Sequence, residues 1–95
     1  MRKIAPQLVE PKPYWLYLLE CRGGSFYAGI ALDVERRLEQ HRSGKGAAYT
    51  RSRPPVRVLA SRCYSSRSEA LKAEYQVKQL PKSRKMAFFL ELSVA

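Results

Sequence analysis

"YWLYLLECRGGSFYAGI", Tyr14 to Ile30, is the stretch whose reading decides the fold. Its first eight residues are aromatic or aliphatic except for Glu20 and the closing Cys21, with no glycine or proline. A short run that is apolar on both alternating faces predicts a strand at the centre of a sheet, covered on each side. "RGGS" predicts a tight turn, and "SFYAGI" the returning strand of a hairpin.

Downstream, Asp33 is placed to N-cap a helix running to about Ser43. "SGKGAAYTRSRPP" predicts a long loop rich in glycine and arginine, closed by Pro54 and Pro55. "VRVLASRCY", 56–64, is valine-rich and partly alternating, a third strand. Ser66 and Glu69 form a capping box for a helix over 67–80, which stops at Pro81. A last helix, about 82–92, carries "MAFFLEL" and is expected to pack on the sheet. Residues 1–13 hold three prolines and no period, which predicts a flexible tail before a domain over 14–92. The expected fold is a small α+β domain: a three-stranded, mainly antiparallel sheet flanked by helices, in the order β-β-α-β-α-α.

The chain has 95 residues, enough for one domain with a thin core. Eighteen Lys and Arg stand against eight Asp and Glu, a formal charge of +10. Such an excess on a small body attracts polyanions, so nucleic acid is the expected partner. Two distant cysteines, Cys21 and Cys63, and one histidine cannot form a zinc quartet. Both cysteines lie in apolar runs and are expected as buried thiols rather than a disulfide. No apolar signal core or run of membrane-spanning length is present, so the expected location is the cytoplasm, at or near the nucleoid, with no membrane partner.

Three groups of polar side chains fall where packing alone does not ask for them. At about 100° per residue, Val34 and Leu38 define the buried stripe of the first helix. His41 falls beside that stripe and Arg37 about 60° further round. A snorkelling arginine and a hydrogen-bonded border histidine would account for both. In the helix over 67–80, Ala70, Ala73, Val77 and Leu80 form one side of an apolar arc. Leu71 and Tyr75 form the other, and Glu74 lies between them. A carboxylate there needs an ion pair, for which arginines abound, or a cation. Mg²⁺ commonly takes only one or two protein carboxylates, plus water and phosphate oxygens. Tyr17 and Tyr27, on adjacent hairpin strands, can be neighbours on one face, as core aromatics or as reactive phenols.

Together these residues resemble the GIY-YIG nuclease superfamily, and within it the small single-domain YhbQ/YazA-type (UPF0213-like) proteins. "WLY", Trp15 to Tyr17, is similar to the first motif, and "YAG", Tyr27 to Gly29, to the second. Arg37 stands ten residues after Tyr27 and His41 four later, as in the family, and Glu74 matches its metal-binding glutamate. The resemblance spans about residues 14–85. Two positions depart from it. Ile30 stands where many members have lysine, and Met86 near where many have asparagine.

The resemblance implies a metal-dependent DNA endonuclease, structure-selective or without sequence preference, that could serve repair or recombination. Its alternative is a nucleic-acid-binding domain of the same fold with weak or no catalysis. A basic protein associated with RNA or the ribosome is the third reading. The implied catalytic set is Tyr17, Tyr27, Arg37, His41 and Glu74, with one Mg²⁺ or Mn²⁺ at Glu74. Tyr17 would be the general base with Tyr27 assisting, or the reverse, its pKa lowered by Arg37 and the metal. His41 would relay a proton or orient a tyrosine. Lys45, Arg51, Arg53, Lys82, Arg84 and Lys85 are candidates for phosphate contacts, or else a solvated basic surface.

Overall fold

A computed structural model of the protein describes residues 12–93, with side chains through Leu90. The expected tail therefore lies, up to residue 11, outside the described residues. Three strands, β1 (Tyr14–Cys21), β2 (Phe26–Ala31) and β3 (Pro55–Tyr64), form one antiparallel sheet in the order β2-β1-β3. The run with two apolar faces is indeed the central strand. Gly23 and Gly24 make the hairpin turn with φ of 87° and 88°, a left-handed conformation that side chains resist.

Alternation along β1 divides the interior into two thin cores. Leu16 and Leu18 face one way and pack with Ala28, Ala73, Val77 and Phe89. Tyr17, Leu19 and Cys21 face the other and pack with Leu38. Helix α1 (Val34–Arg42) supplies the second side. Helices α3 (Arg67–Lys78) and α4 (Lys82–Ser93) cover the first. The Asp33 cap holds, and so does the Ser66 half of the capping box: Asp33 accepts from the Arg36 amide at 3.1 Å, and Ser66 from the Glu69 amide at 3.2 Å.

Three expectations need correction. The expected order β-β-α-β-α-α holds for the main elements, but the loop 43–55 is not wholly irregular: it contains a short helix, α2 (Ala48–Ser52). Five residues cannot sustain a helix alone; tertiary contacts described below hold this one. Cys63 is exposed near the end of edge strand β3, and only Cys21 is buried. The two thiols are free; Cys63 pairs with Trp15, near the other end of β1 from Cys21, which sets them about 20 Å apart. Finally, Leu71 and Tyr75 point outward, Tyr75 with 68% of its surface exposed. The buried arc of α3 is only the Ala70, Ala73, Val77 side, and Glu74 lies at its border.

Because Leu18 is inaccessible to solvent and central, Leu18→Ala should cost about 2–5 kcal/mol in urea unfolding. Cys63→Ser should stay within about 0.5 kcal/mol of the wild type.

Candidate active site

Strand register brings the two tyrosines together. Tyr17 pairs with Gly29 and Leu19 with Tyr27, so Tyr17 and Tyr27 are diagonal neighbours on the α1 face. The Tyr17 ring lies across β2 directly over Gly29. A Cβ at position 29 would stand 2.5 Å from the phenol oxygen and 2.7 Å from Cζ. The glycine of "YAG" is thus required by close approach, since any side chain would displace the phenol.

The phenol ends on a histidine. Tyr17 Oη lies 2.9 Å from His41 Nε2, and His41 Nδ1 lies 2.7 Å from Thr50 Oγ1. All three side chains are at most 2% exposed. The edge of the Tyr27 ring closes another side of the imidazole at 5.3 Å between centroids. Gly46 closes a further side, where any Cβ would fall on Nδ1. Tyr49 of α2 stacks on Tyr27 at 5.8 Å, with Arg53 over its ring. These contacts are what hold α2.

Arg37 and Glu74 act on this phenol from helices that pack on opposite faces of the sheet. Burial pushes the Tyr17 phenol up to about 12; the Arg37 guanidinium opposes that shift, while Tyr27 and Glu74 add to it. Arg37 by itself does not bring the phenol below its ordinary value, because desolvation is the larger effect. His41 moves the other way: burial first and the Arg37 charge second lower its pKa from 6.5, so it is neutral at pH 7. Arg37 Nη1 donates to Gln40 at 2.8 Å, which leaves other guanidinium donors of the fork available. Arg37, Arg36, Gln40, Tyr14 and Ile30 are among the residues lining a cleft of about 340 Å³ beside β2.

Glu74 pairs with Lys78 one turn on, at 3.2 Å, and its side chain is 19% exposed. A lysine, not an arginine, is its partner. Ile30 and Met86, the two departures from the family pattern, both pack against the core shared by Val77 and Phe89. They are apolar because they fill that core.

The basic residues divide into two sets. Lys45, Arg51 and Arg53 are exposed around α2, with Arg51 donating to the Gly46 carbonyl at 3.4 Å. Lys82, Arg84 and Lys85 open α4 on the other face. Lys82 covers the Phe26 ring at 4.8 Å and Arg84 is exposed. Lys85 is half-buried and donates to the Val77 carbonyl at 2.8 Å, closing the end of α3. Burial, then Lys78, lowers its pKa. Thr50, Gly46 and Tyr49 were not singled out in the sequence. Nothing in a threonine within a polar loop announces a buried partner.

With this geometry in view, comparison with known proteins is decisive for the family. The profile of the GIY-YIG catalytic domain matches residues 13–87. The chain belongs to the GIY-YIG catalytic-domain family. It is 54% identical over 81 residues to the UPF0213 protein Reut_B5558 of Cupriavidus pinatubonensis, covering 85% of this chain and 90% of that one. A UPF0213 protein of Xanthomonas campestris is 55% identical over 78 residues, covering 82% and 76%. Among solved structures, protein EF2693 of E. faecalis superposes with a TM-score of 0.62 at 37% identity, covering 92% and 94%. The UPF0213 protein BH0048 of Bacillus halodurans gives 0.50 at 45%, covering 79% and 80%. Membership of the GIY-YIG family carries a nuclease-type function and a nucleic-acid substrate.

His41 also predicts a pH dependence of stability. Its folded pKa lies below the unfolded 6.5. As pH falls through 6.5 the unfolded chain takes up a proton that the folded chain refuses, so stability drops until the folded pKa is reached. Calorimetry between pH 7.5 and 5 should show a larger fall in Tm for the wild type than for His41→Gln. Equal slopes would remove His41 as the cause.

Proposed function

We propose that this GIY-YIG domain is a metal-dependent endonuclease that hydrolyses phosphodiester bonds in DNA without reading sequence, selecting structure if anything. A role in repair or recombination, in the cytoplasm or on the nucleoid, belongs to the same proposal. The observation that carries it is the buried Tyr17–His41 contact, with Arg37 and Glu74 both acting on the phenol.

Magnitudes assign the roles. With a pKa of about 12, ionising Tyr17 alone at pH 7 would cost roughly 7 kcal/mol. A neutral imidazole 2.9 Å away removes the need for a free phenolate. As water attacks, its proton passes to the Tyr17 oxygen while the phenol proton passes to His41. The water oxygen bonds to phosphorus, and the bond to the leaving oxygen breaks. Arg37 offers its forked N–H groups to the phosphoryl oxygens as their charge develops. Tyr27, edge-on to His41 and stacked on Tyr49, fixes the imidazole and is the second candidate to handle the proton.

The donor set fits a hard cation held mainly by the substrate. No group of three or more ligating side chains exists among the described residues, so an all-protein cage is not what this site offers. His41 is not a ligand in this arrangement, since both ring nitrogens are engaged. Glu74 can supply one carboxylate, exchanging Lys78 for Mg²⁺ or Mn²⁺. When bound, the ion would supply charge neutralisation at the phosphate and leaving oxygen. Lys45, Arg51 and Arg53, with Lys82 and Arg84, are proposed to hold the nucleic-acid backbone; Lys85 must first release the Val77 carbonyl to join them.

The second reading, a binding domain with little catalysis, is favoured by Ile30 and Met86, apolar residues where the resemblance to GIY-YIG nucleases implies lysine and asparagine. Incubation of supercoiled plasmid and branched DNA with Mn²⁺ separates the two. Wild type should cleave, and Tyr17→Phe and Glu74→Ala should each lose roughly 10²-fold or more. Retention of DNA without cleavage would establish the second reading, and preference for RNA in a parallel binding series would establish the third. Because His41 must be neutral to accept, the cleavage rate should rise with pH to a plateau whose midpoint lies below 6.5. A flat profile from pH 5 to 8 would contradict its role.

A further inference from the structure

Thr50 is a fully buried polar side chain that the family motifs leave unexplained. Its Oγ1 makes two hydrogen bonds. It donates to the Ala47 carbonyl at 2.9 Å, and it meets His41 Nδ1 at 2.7 Å. A carbonyl only accepts, so the Ala47 carbonyl draws the single hydroxyl proton toward itself. The oxygen can then only accept from His41, which puts the imidazole proton on Nδ1. A neutral imidazole carries one such proton, so Nε2 is bare. The proton between Nε2 and the phenol, 2.9 Å apart, is therefore the phenol's own. One direction runs through the chain: Tyr17 O–H to His41 Nε2, His41 Nδ1–H to Thr50, Thr50 O–H to the Ala47 carbonyl.

The reverse arrangement has a definite consequence. If Thr50 turned its proton to Nδ1, Nε2–H would donate to the phenol oxygen. Tyr17 would lose its acceptor, and its oxygen would be occupied by a donor where the attacking water must deliver a proton. The two arrangements share nearly the same heavy-atom geometry, and the Ala47 carbonyl favours the first. Helix α2 delivers this oxygen, and Gly46 lets the loop lie against the ring.

We propose that Thr50 is a positioning residue that holds His41 as the Nδ1–H tautomer and so sets the direction in which the Tyr17 proton can move. Its catalytic consequence rests on the nuclease reading above; the tautomer itself does not. The full-length protein, labelled with ¹⁵N in histidine, reports the tautomer directly through long-range ¹H–¹⁵N correlations at pH 7.5. The wild type should show a protonated Nδ1 and a bare Nε2. Thr50→Val, which keeps the shape and removes the hydroxyl, should shift the population toward Nε2–H and slow plasmid cleavage by roughly tenfold or more. Thr50→Ser should restore both. An Nε2–H wild type would overturn the inference. So would a folded Thr50→Val protein with unchanged tautomer and rate. Should Thr50→Val not fold, the wild-type and Thr50→Ser spectra still decide. If the tautomer behaves as described but no form cleaves DNA, the positioning stands and the nuclease reading fails.

Discussion

Tyr17 has to be buried and hydrogen-bonded at once, and much of the domain is arranged around that constraint. Its ring belongs to the core between β1 and α1. Its oxygen cannot be left in that core without a partner, since a buried hydroxyl costs about 1–3 kcal/mol when unpaired. His41 supplies the partner and brings its own demand, because a buried imidazole has two nitrogens to satisfy. Thr50 meets the second, which requires α2 and the glycine at 46. Gly29 is fixed by the same phenol on the other strand. Two glycines, a helix and a histidine thus follow from one oxygen.

This explains why structure and reactivity are hard to separate here. Packing would account for Tyr17 and His41 as a satisfied core pair. What distinguishes the pair from an inert one is its surroundings. Arg37 and Glu74 both influence the phenol, one lowering and one raising its pKa. A cation at Glu74 would remove the raising influence, so the electrostatics of the empty and loaded sites should differ in a definite direction. Likewise the +10 charge attracts a polyanion without specifying it, while Arg37 beside a cleft offers a place for one phosphate.

Elements with a local cause were legible in the sequence. β1 follows from an unbroken apolar run, α1 and α3 from their capping residues, and the hairpin from two glycines. Spacing on those elements places Tyr17, Tyr27, Arg37 and His41 near one face, and the family resemblance nominates them as a site; the fold brings the two tyrosines and His41 together. What escaped depends on long-range contact. α2 is too short to be seen by periodicity and exists through Tyr27, His41 and Thr50. Glu74 reads as the middle of a buried arc because Leu71 and Tyr75 look apolar, yet both face solvent. Lys85 reads as one more surface cation until its carbonyl partner is known. Cys63 reads as buried because edge and central strands differ little in composition.

The central claim is that Tyr17 and His41 act as one proton-handling unit. The most direct test is a double-mutant cycle on the rate of plasmid cleavage with Mn²⁺, using Tyr17→Phe, His41→Gln and the pair. Groups that work as a unit are strongly non-additive. The double variant should therefore be no slower than the slower single variant. Losses that multiply would show two independent contributions and contradict the account.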